Sequence, residues 1–450
     1  MNLRRRCRTP AIPLRTTVEP RPSGVRDFLK RGALVFGGLV SANFLTYVFY
    51  ATVARALGVE PAGLFMSLLA AILVLALPGH VLAVVVAKVA ADACARGERS
   101  VLRGLGIATS ALALPVALVA LGGAALGGPA LRQFFHTGDP MVIALAAAGL
   151  VTTFPLGAQR AVLQGGGAFG AFVFSNLVDA GGKVATGAVL LVALHGAGGI
   201  RFALAGYVAA TGLAFAVNAL LTVRGAERVV WPRQTARSVR RLVVGVALPM
   251  AVLTAMTLAD PILVRHYLPA RDAGLYNSAI ALVGRAIVMI VQFVPTILLP
   301  RAAAEAAAGR SARRYLLVSL ALTALTAGAI VVVVALFPAQ IVVAVAGPAF
   351  AAAAPLLAPY ALAMSALAGA IVVATYLIAI DRHGFAIPVA AIGIAEMVAI
   401  ALVHPDLATV VRIVLTGHVA ALVCCLTEAV VASWRGVPNA RRRSDGTVIR

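Results

Sequence analysis

Charge is scarce in this 450-residue chain. Charged residues make up 12%, against roughly 25% in an ordinary soluble domain, and only 16 are acidic. A soluble protein of this length would divide into about three domains, and their polar faces would have no residues to build them. Cysteine is sparse too. Cys7, Cys94, Cys424 and Cys425 show neither a disulfide framework nor a metal-ligand spacing. Long hydrophilic segments are missing beyond the first 32 residues, so no soluble catalytic domain is expected. A P-loop is also missing: Gly182-Lys183 is followed by Val184, with no glycine five positions before Gly182. Gly165, Gly167 and Gly170 do spell G-x-G-x-x-G, but between two apolar runs rather than after a strand. They read as a turn with close helix packing. No cofactor, no metal site and no enzymatic chemistry are expected.

What is abundant is apolar surface, at 61% of residues. Twelve runs are each about long enough to cross a hydrocarbon core of roughly 30 Å as a helix. The first six are Ala33–Ala54, Leu64–Ala87, Gly104–Gly127, Met141–Leu156, Phe169–Leu194 and Phe202–Val223. The second six are Leu242–Val264, Leu275–Leu299, Tyr315–Phe337, Leu356–Ile380, Phe385–Val403 and Thr409–Val431. Strand-type alternation is absent, which argues against a β-barrel. The expected class is an all-α integral membrane protein with 12 transmembrane helices.

The net charge of +22 would suggest a nucleic-acid binder were it clustered on a soluble face. Its placement says otherwise. With the N-terminus in the cytoplasm, thirty of the 38 basic residues fall in inward segments and six in outward ones. The latter are Arg55, Arg132, Arg201, Arg265, Arg271 and Arg412, while Lys183 and Arg285 lie inside apolar runs. This asymmetry predicts both termini inside and no nucleic-acid partner. The first apolar run is too long for a signal-peptide core, and the Arg- and Pro-rich residues 1–32 read as a disordered tail.

The chain also repeats itself. Ala62-Gly63-Leu64-Phe65-Met66-Ser67 recurs as Ala273-Gly274-Leu275-Tyr276-Asn277-Ser278, 211 positions later. Gly128-Pro129 and Gly347-Pro348, and Gly167-Ala168-Phe169 and His383-Gly384-Phe385, recur at similar offsets. The expected organisation is therefore a pair of six-helix lobes of the same sense, 33–223 and 242–433. A basic linker, 224–241, would join them, and residues 434–450 would form a basic tail. Two such lobes around a central cleft are a usual build for a secondary transporter, with its site near mid-membrane.

Ionisable groups inside a bilayer tend to face the bundle interior or a wet cavity. Lys183 lies one turn after Asp179, so an i,i+4 pair could satisfy both. Arg285 lies about ten residues into the eighth run, roughly 15 Å along the helix, with no carboxylate three or four positions away. One cation from each lobe would make a site for an anion. Asn43, Tyr47 and Tyr50 share one face of the first helix and could line the cleft or bond between helices. Asp260 and Glu396 could each bind a coupling H⁺ or Na⁺, or pair with an arginine. Pro78, Pro115, Pro155, Pro249, Pro295 and Pro388 interrupt the runs where hinges are tolerated.

Arg55-Ala56-Leu57-Gly58 followed by Gly63-Leu64-Phe65 resembles the "RxLGxxxxGLF" junction of bacterial polysaccharide-biosynthesis flippases. Gly347-Pro348-Ala349-Phe350 through Leu357 is similar to that family's "GxxFxxAxxxL" entry to the tenth helix. Ala273–Tyr276, Leu299-Pro300-Arg301 and Val162-Leu163-Gln164-Gly165 also fit. The family belongs to the superfamily of multidrug-and-toxin extrusion proteins and lipid II flippases. The resemblance implies a V-shaped exporter fold in the bacterial inner membrane and a polyprenyl-pyrophosphate-linked oligosaccharide as cargo. It also implies a cationic cavity, with Arg285, Lys183 and Arg55 as candidate substrate-binding cations and Asn43, Tyr47, Tyr50 and Asp179 as its polar lining. Polysaccharide polymerases or glycosyltransferases would then be partners. Lipid II flippases and some polysaccharide flippases carry two further C-terminal helices beyond the twelve expected here, so the resemblance points away from a peptidoglycan role. An organic-cation exporter of the same fold, a non-transporting membrane scaffold and an integral-membrane glycosyl transferase are the alternatives.

Overall fold

A computed structural model describes residues 25–189, 191, 198–223, 243, 246, 248–291, 293–308 and 310–434. The linker at 224–241 and most of both tails lie outside the described residues, as does Cys7. Within them the chain is helical, with no strand. Among the described residues twelve successive rods follow the twelve apolar runs, and nine stretches of at least 18 residues are apolar enough to cross a membrane. The first rod, Val25–Leu57, starts inside the segment expected to be a disordered tail.

Breaks in the rods have local causes. The second rod is two helices, Val59–Leu75 and Leu77–Ala95, meeting at Ala76. Pro78 lacks an N–H to continue the ladder there. The third breaks in the same way at Leu112, three residues before Pro115, into Arg99–Ala111 and Ala113–Phe134. The fourth rod is Pro140–Gly165, and the sixth is Gly199–Val223. The fifth, Phe169–Gly182, continues as a π-helical turn over Lys183–Ala188. The seventh consists of Leu248–Met256 and Asp260–Tyr267, separated by a turn at residues 257–259. The eighth carries a second π-helical stretch at Tyr276–Ile280, between Ala270–Leu275 and Ala281–Val291, and continues as Phe293–Ala307. The ninth, tenth, eleventh and twelfth rods are Arg313–Leu336, Ala354–Ala379, Ala386–Leu402 and Leu407–Trp434.

Packing repeats between the halves. The fourth rod touches the second, third and sixth, and the tenth touches the eighth, ninth and twelfth. Likewise the first packs on the fifth and the seventh on the eleventh. The tenth rod is the core of its lobe, with Leu357, Tyr360, Met364 and Leu367 fully buried. At the periphery, Leu126 is 90% exposed and Ile387 82% exposed. In a bilayer such apolar surface meets hydrocarbon, while every helix satisfies its own backbone.

The first, second, seventh and eighth rods make the seam between the lobes. The duplicated motif lies on that seam. A Cβ on Gly63 would stand 2.4 Å from Gly274 Cα, and one on Gly274 would stand 2.2 Å from the carbonyl oxygen of Val59. Only glycine permits that approach. Gly58 and Gly347, in the adjoining junctions, have φ of 76° and 109°, where side chains are strained.

Candidate functional site

Several rods carry polar groups at and beside the seam. Tyr47 and Tyr50 project from the part-buried face of the first rod, with Asn43 one turn before them. The first rod packs against the fifth rod, which carries Asp179, and touches the eighth, which carries Arg285, so it lies between ionic groups of both lobes.

In the first lobe Asp179 is the hub. Its Oδ1 lies 3.0 Å from Lys183 Nζ and its Oδ2 lies 3.1 Å from an Arg160 terminal nitrogen. Arg160 also donates to Ser175 Oγ and to the Ser175 carbonyl, and Asn218 donates to the same hydroxyl at 2.8 Å. Lys183 Nζ sits 4.8 Å from the ring centre of Tyr207. The i,i+4 pair expected between Asp179 and Lys183 is formed. Two cations share one carboxylate, so the cluster retains a net positive charge.

Arg160 corrects the charge tally. Hydropathy puts it past the fourth apolar run, among the inward loop cations, yet it lies inside the fourth rod with its side chain only 17% exposed. Arg265, counted with the outward loops, is 4% exposed within the seventh rod. The apolar-run boundaries fell short of both because an arginine lowers local hydropathy even where the helix continues.

In the second lobe the unwound turn of the seventh rod leaves the Thr257 carbonyl without a helical partner, and Arg285 Nε donates to it at 3.1 Å. A terminal nitrogen of Arg285 is buried with no hydrogen-bond partner among the described residues. Arg285 makes no ion pair within 4 Å among the described residues. Asp260 begins the helix after the turn and is 1% exposed. Its Oδ2 accepts from Tyr276 and Tyr360, each at 2.7 Å, while Oδ1 has no partner among the described residues. Further into the lobe, Glu396 Oε1 faces His418 Nε2 at 3.6 Å, and Glu396 Oε2 is buried without a partner among the described residues. His418 Nδ1 donates to the Ala363 carbonyl at 3.2 Å.

Arg55 stands elsewhere. It donates to the carbonyls of Val343, Ala344 and Val345 at the end of a short helix, Pro338–Val345, in the other lobe. Those carbonyls are the orphans every helix C-terminus leaves. Arg265 acts similarly at this end, donating to the carbonyls of Phe135 at 2.9 Å and His136 at 3.1 Å. The His266 ring stacks on Phe134 at 4.2 Å. With Asn277 donating to Ser67 at 2.7 Å and the Gly63–Gly274 crossing, these contacts draw the lobes together at the end opposite the basic loops. Outside the membrane-spanning segments, Arg201 bonds Asp139 at 2.5 Å and holds its carboxyl below the ordinary value of 3.8.

Sequence reasoning missed Arg160, Tyr276, Tyr360 and His418. His418 and Arg160 were findable as ionisable residues in or beside apolar runs. Tyr276 was visible in the repeat, but its bond to Asp260 was not. Among the described residues no group of three metal-ligating side chains converges.

No protein-family description matches the sequence, and no curated protein is similar to it in sequence. Solved structures are similar in fold. A multidrug resistance MATE family transporter of the MOP superfamily, in its inward-facing conformation, superposes with a TM-score of 0.68 at 12% identity, covering 89% of this chain and 96% of that one. The outward-facing conformation of such a transporter gives 0.63 at 13% identity, over 91% and 95%. A MOP superfamily transporter from Pyrococcus furiosus Vc1, described as having a binding pocket of reverse polarity, gives 0.64 at 14% identity, over 91% and 96%. The chain therefore has the V-shaped, two-lobed, all-helical MOP fold in a multi-pass membrane protein.

Proposed function

We propose that this protein is an alternating-access transporter that moves a lipid-linked oligosaccharide, carried on polyprenyl pyrophosphate, from the cytoplasmic to the outer leaflet. The observation that carries the reading is Arg285: a guanidinium with one buried nitrogen unpartnered among the described residues, on a rod that touches the first rod, which packs in turn on the rod of Asp179 and Lys183. An anionic head group crossing the bilayer alone would meet a large charge-burial cost. Positive charge on both walls of a cleft lowers that cost, and the lipid tail need never leave hydrocarbon. Arg285 and Lys183 are the proposed head-group cations. Asn43, Tyr47 and Tyr50 would bond sugar hydroxyls. Arg55 acts in this scheme by fastening the lobes rather than by binding cargo. Asp260 and Glu396, each with an unpartnered oxygen, are the proposed coupling residues for H⁺ or Na⁺.

The same two orphan oxygens favour a second reading, export of an organic cation, since buried carboxylates are what such a substrate would need. Replacing Arg285, Lys183 or both by Ala separates the readings. On the flippase reading surface polysaccharide falls in each variant and drug susceptibility stays unchanged. Wild-type polysaccharide in all three would sink it.

A further inference from the structure

The basic end of the second lobe carries a feature outside the proposed cargo site. Between the eighth and ninth rods lies a groove of about 120 Å³, walled by Phe293, Val294, Leu298, Val318 and Leu322. Arg301 and Tyr315 line it too, nearest the connection between the rods. The apolar wall residues lie three to eight positions from these two along each helix, roughly 5–12 Å at 1.5 Å per residue. One end is therefore cationic, and the rest recedes into the hydrocarbon zone. Residues 301–314 hold Arg301, Arg310, Arg313 and Arg314 against a single carboxylate, Glu305. That carboxylate is occupied by Arg310 at 2.6 Å and Arg314 at 3.4 Å. Arg301 is exposed and has no hydrogen bond or ion pair among the described residues. The Tyr315 phenol accepts from Arg314 at 2.9 Å and leans toward Glu305. The polar mouth thus keeps one unengaged guanidinium beside an apolar trough.

We infer that this groove is a binding site for an anionic phospholipid, with its phosphate on Arg301 and an acyl chain along Phe293, Leu298 and Leu322. Charge complementarity selects the occupant: basic clusters flanking a membrane helix attract anionic lipid, and the trough demands a hydrocarbon chain attached to that charge. The inference rests on the membrane fold and is independent of the cargo. Phe293 also meets Phe36 of the first rod edge-on at 5.8 Å, so the occupant braces a wall that belongs to the lobe seam.

Native mass spectrometry of the full chain in detergent, titrated with phosphatidylglycerol or phosphatidylcholine, tests this. Phosphatidylglycerol adducts should exceed phosphatidylcholine adducts. R301Q should lower the phosphatidylglycerol adduct about fivefold, the scale expected of one basic residue at a membrane surface. S319W, at a serine that also lines the groove, fills it without changing charge and should lower both lipids. R96Q, on a different basic loop, should leave binding intact, and millimolar inorganic phosphate should not displace the lipid. Equal losses in R301Q and R96Q would mean diffuse attraction and overturn the site. So would indifference to S319W, no preference between the lipids, or displacement by phosphate.

Discussion

The crossing of Gly63 and Gly274 gives a direct handle on how the lobes move. Adding a methyl at Gly63 places it 2.4 Å from Gly274 Cα and 2.8 Å from Gly274 N. Adding one at Gly274 places it 2.2 Å from Val59 O. Carbon atoms rest about 3.5–4.0 Å apart, so each change must separate the second and eighth rods by more than 1 Å. The neighbours are backbone and cannot swing aside. Overpacking of this kind costs about 1–3 kcal/mol. Separating the lobes at this end relieves the strain while leaving each lobe's own packing intact. If two lobe arrangements lie within a few kcal/mol, a penalty of about 2 kcal/mol shifts their ratio by roughly 30-fold. Spin labels at Q133C and R271C, one per lobe at the closed end, would report it by pulsed dipolar spectroscopy once Cys7, Cys94, Cys424 and Cys425 are replaced by serine. G63A and G274A should populate a longer distance. G122A is the control, because a Cβ there meets nothing within 4 Å. An unchanged distance distribution in folded G63A and G274A would refute the claim that this crossing holds the lobes together.

Asp179→Asn leaves Arg160 and Lys183 without their shared carboxylate, and losing one partner of a buried ion pair costs about 3–5 kcal/mol. It should lower the unfolding temperature in detergent more than Lys183→Gln does; the reverse order would contradict Asp179 as hub. Tyr276→Phe and Tyr360→Phe each remove one of two donors to Asp260 Oδ2, a loss of about 1–3 kcal/mol apiece. The double variant should destabilise beyond either single one, and additivity can be read from a thermal-unfolding cycle. Arg265→Ala strips donors from the Phe135 and His136 carbonyls and should lengthen the same 133–271 distance. The Asp139–Arg201 pair has its carboxyl lowered by the guanidinium, so its contribution is present above pH 4 and lost as pH falls through the lowered value. Asp139→Asn should therefore destabilise at pH 6, and the loss should shrink as the pH falls from 4 through the lowered value; a loss that does not change with pH would exclude the pair as its source.

Much of the candidate site was legible in part. Lys183 and Asp179 were legible because an i,i+4 pair is a property of one helix, and their 3.0 Å contact is as expected. Arg285 stood out because a lone arginine in an apolar run has no local remedy. Its remedy, the Thr257 carbonyl, belongs to a different rod and exists only because the seventh rod unwinds. Arg160 was misplaced because hydropathy judged where the membrane ends, and the helix runs five residues further, to Gly165. Arg55 was grouped with the cavity cations by family likeness, while its bonds go to a helix end in the other lobe.

The sequence by itself determined the solvent this protein lives in, its twelve rods and the duplication, because hydrophobic run length and repeat offset are one-dimensional quantities. The glycines of the repeated motif were readable as special, but their purpose was not. Only the tertiary structure decided that the two copies of the motif touch each other. Only it decided that Asp260 is clasped by Tyr276 and Tyr360, and that Glu396 faces His418. Hydrogen bonds and contacts between rods depend on how helices rotate and cross. Nearly uniform apolar sequences leave that choice to the fit of side chains between helices rather than to local pattern.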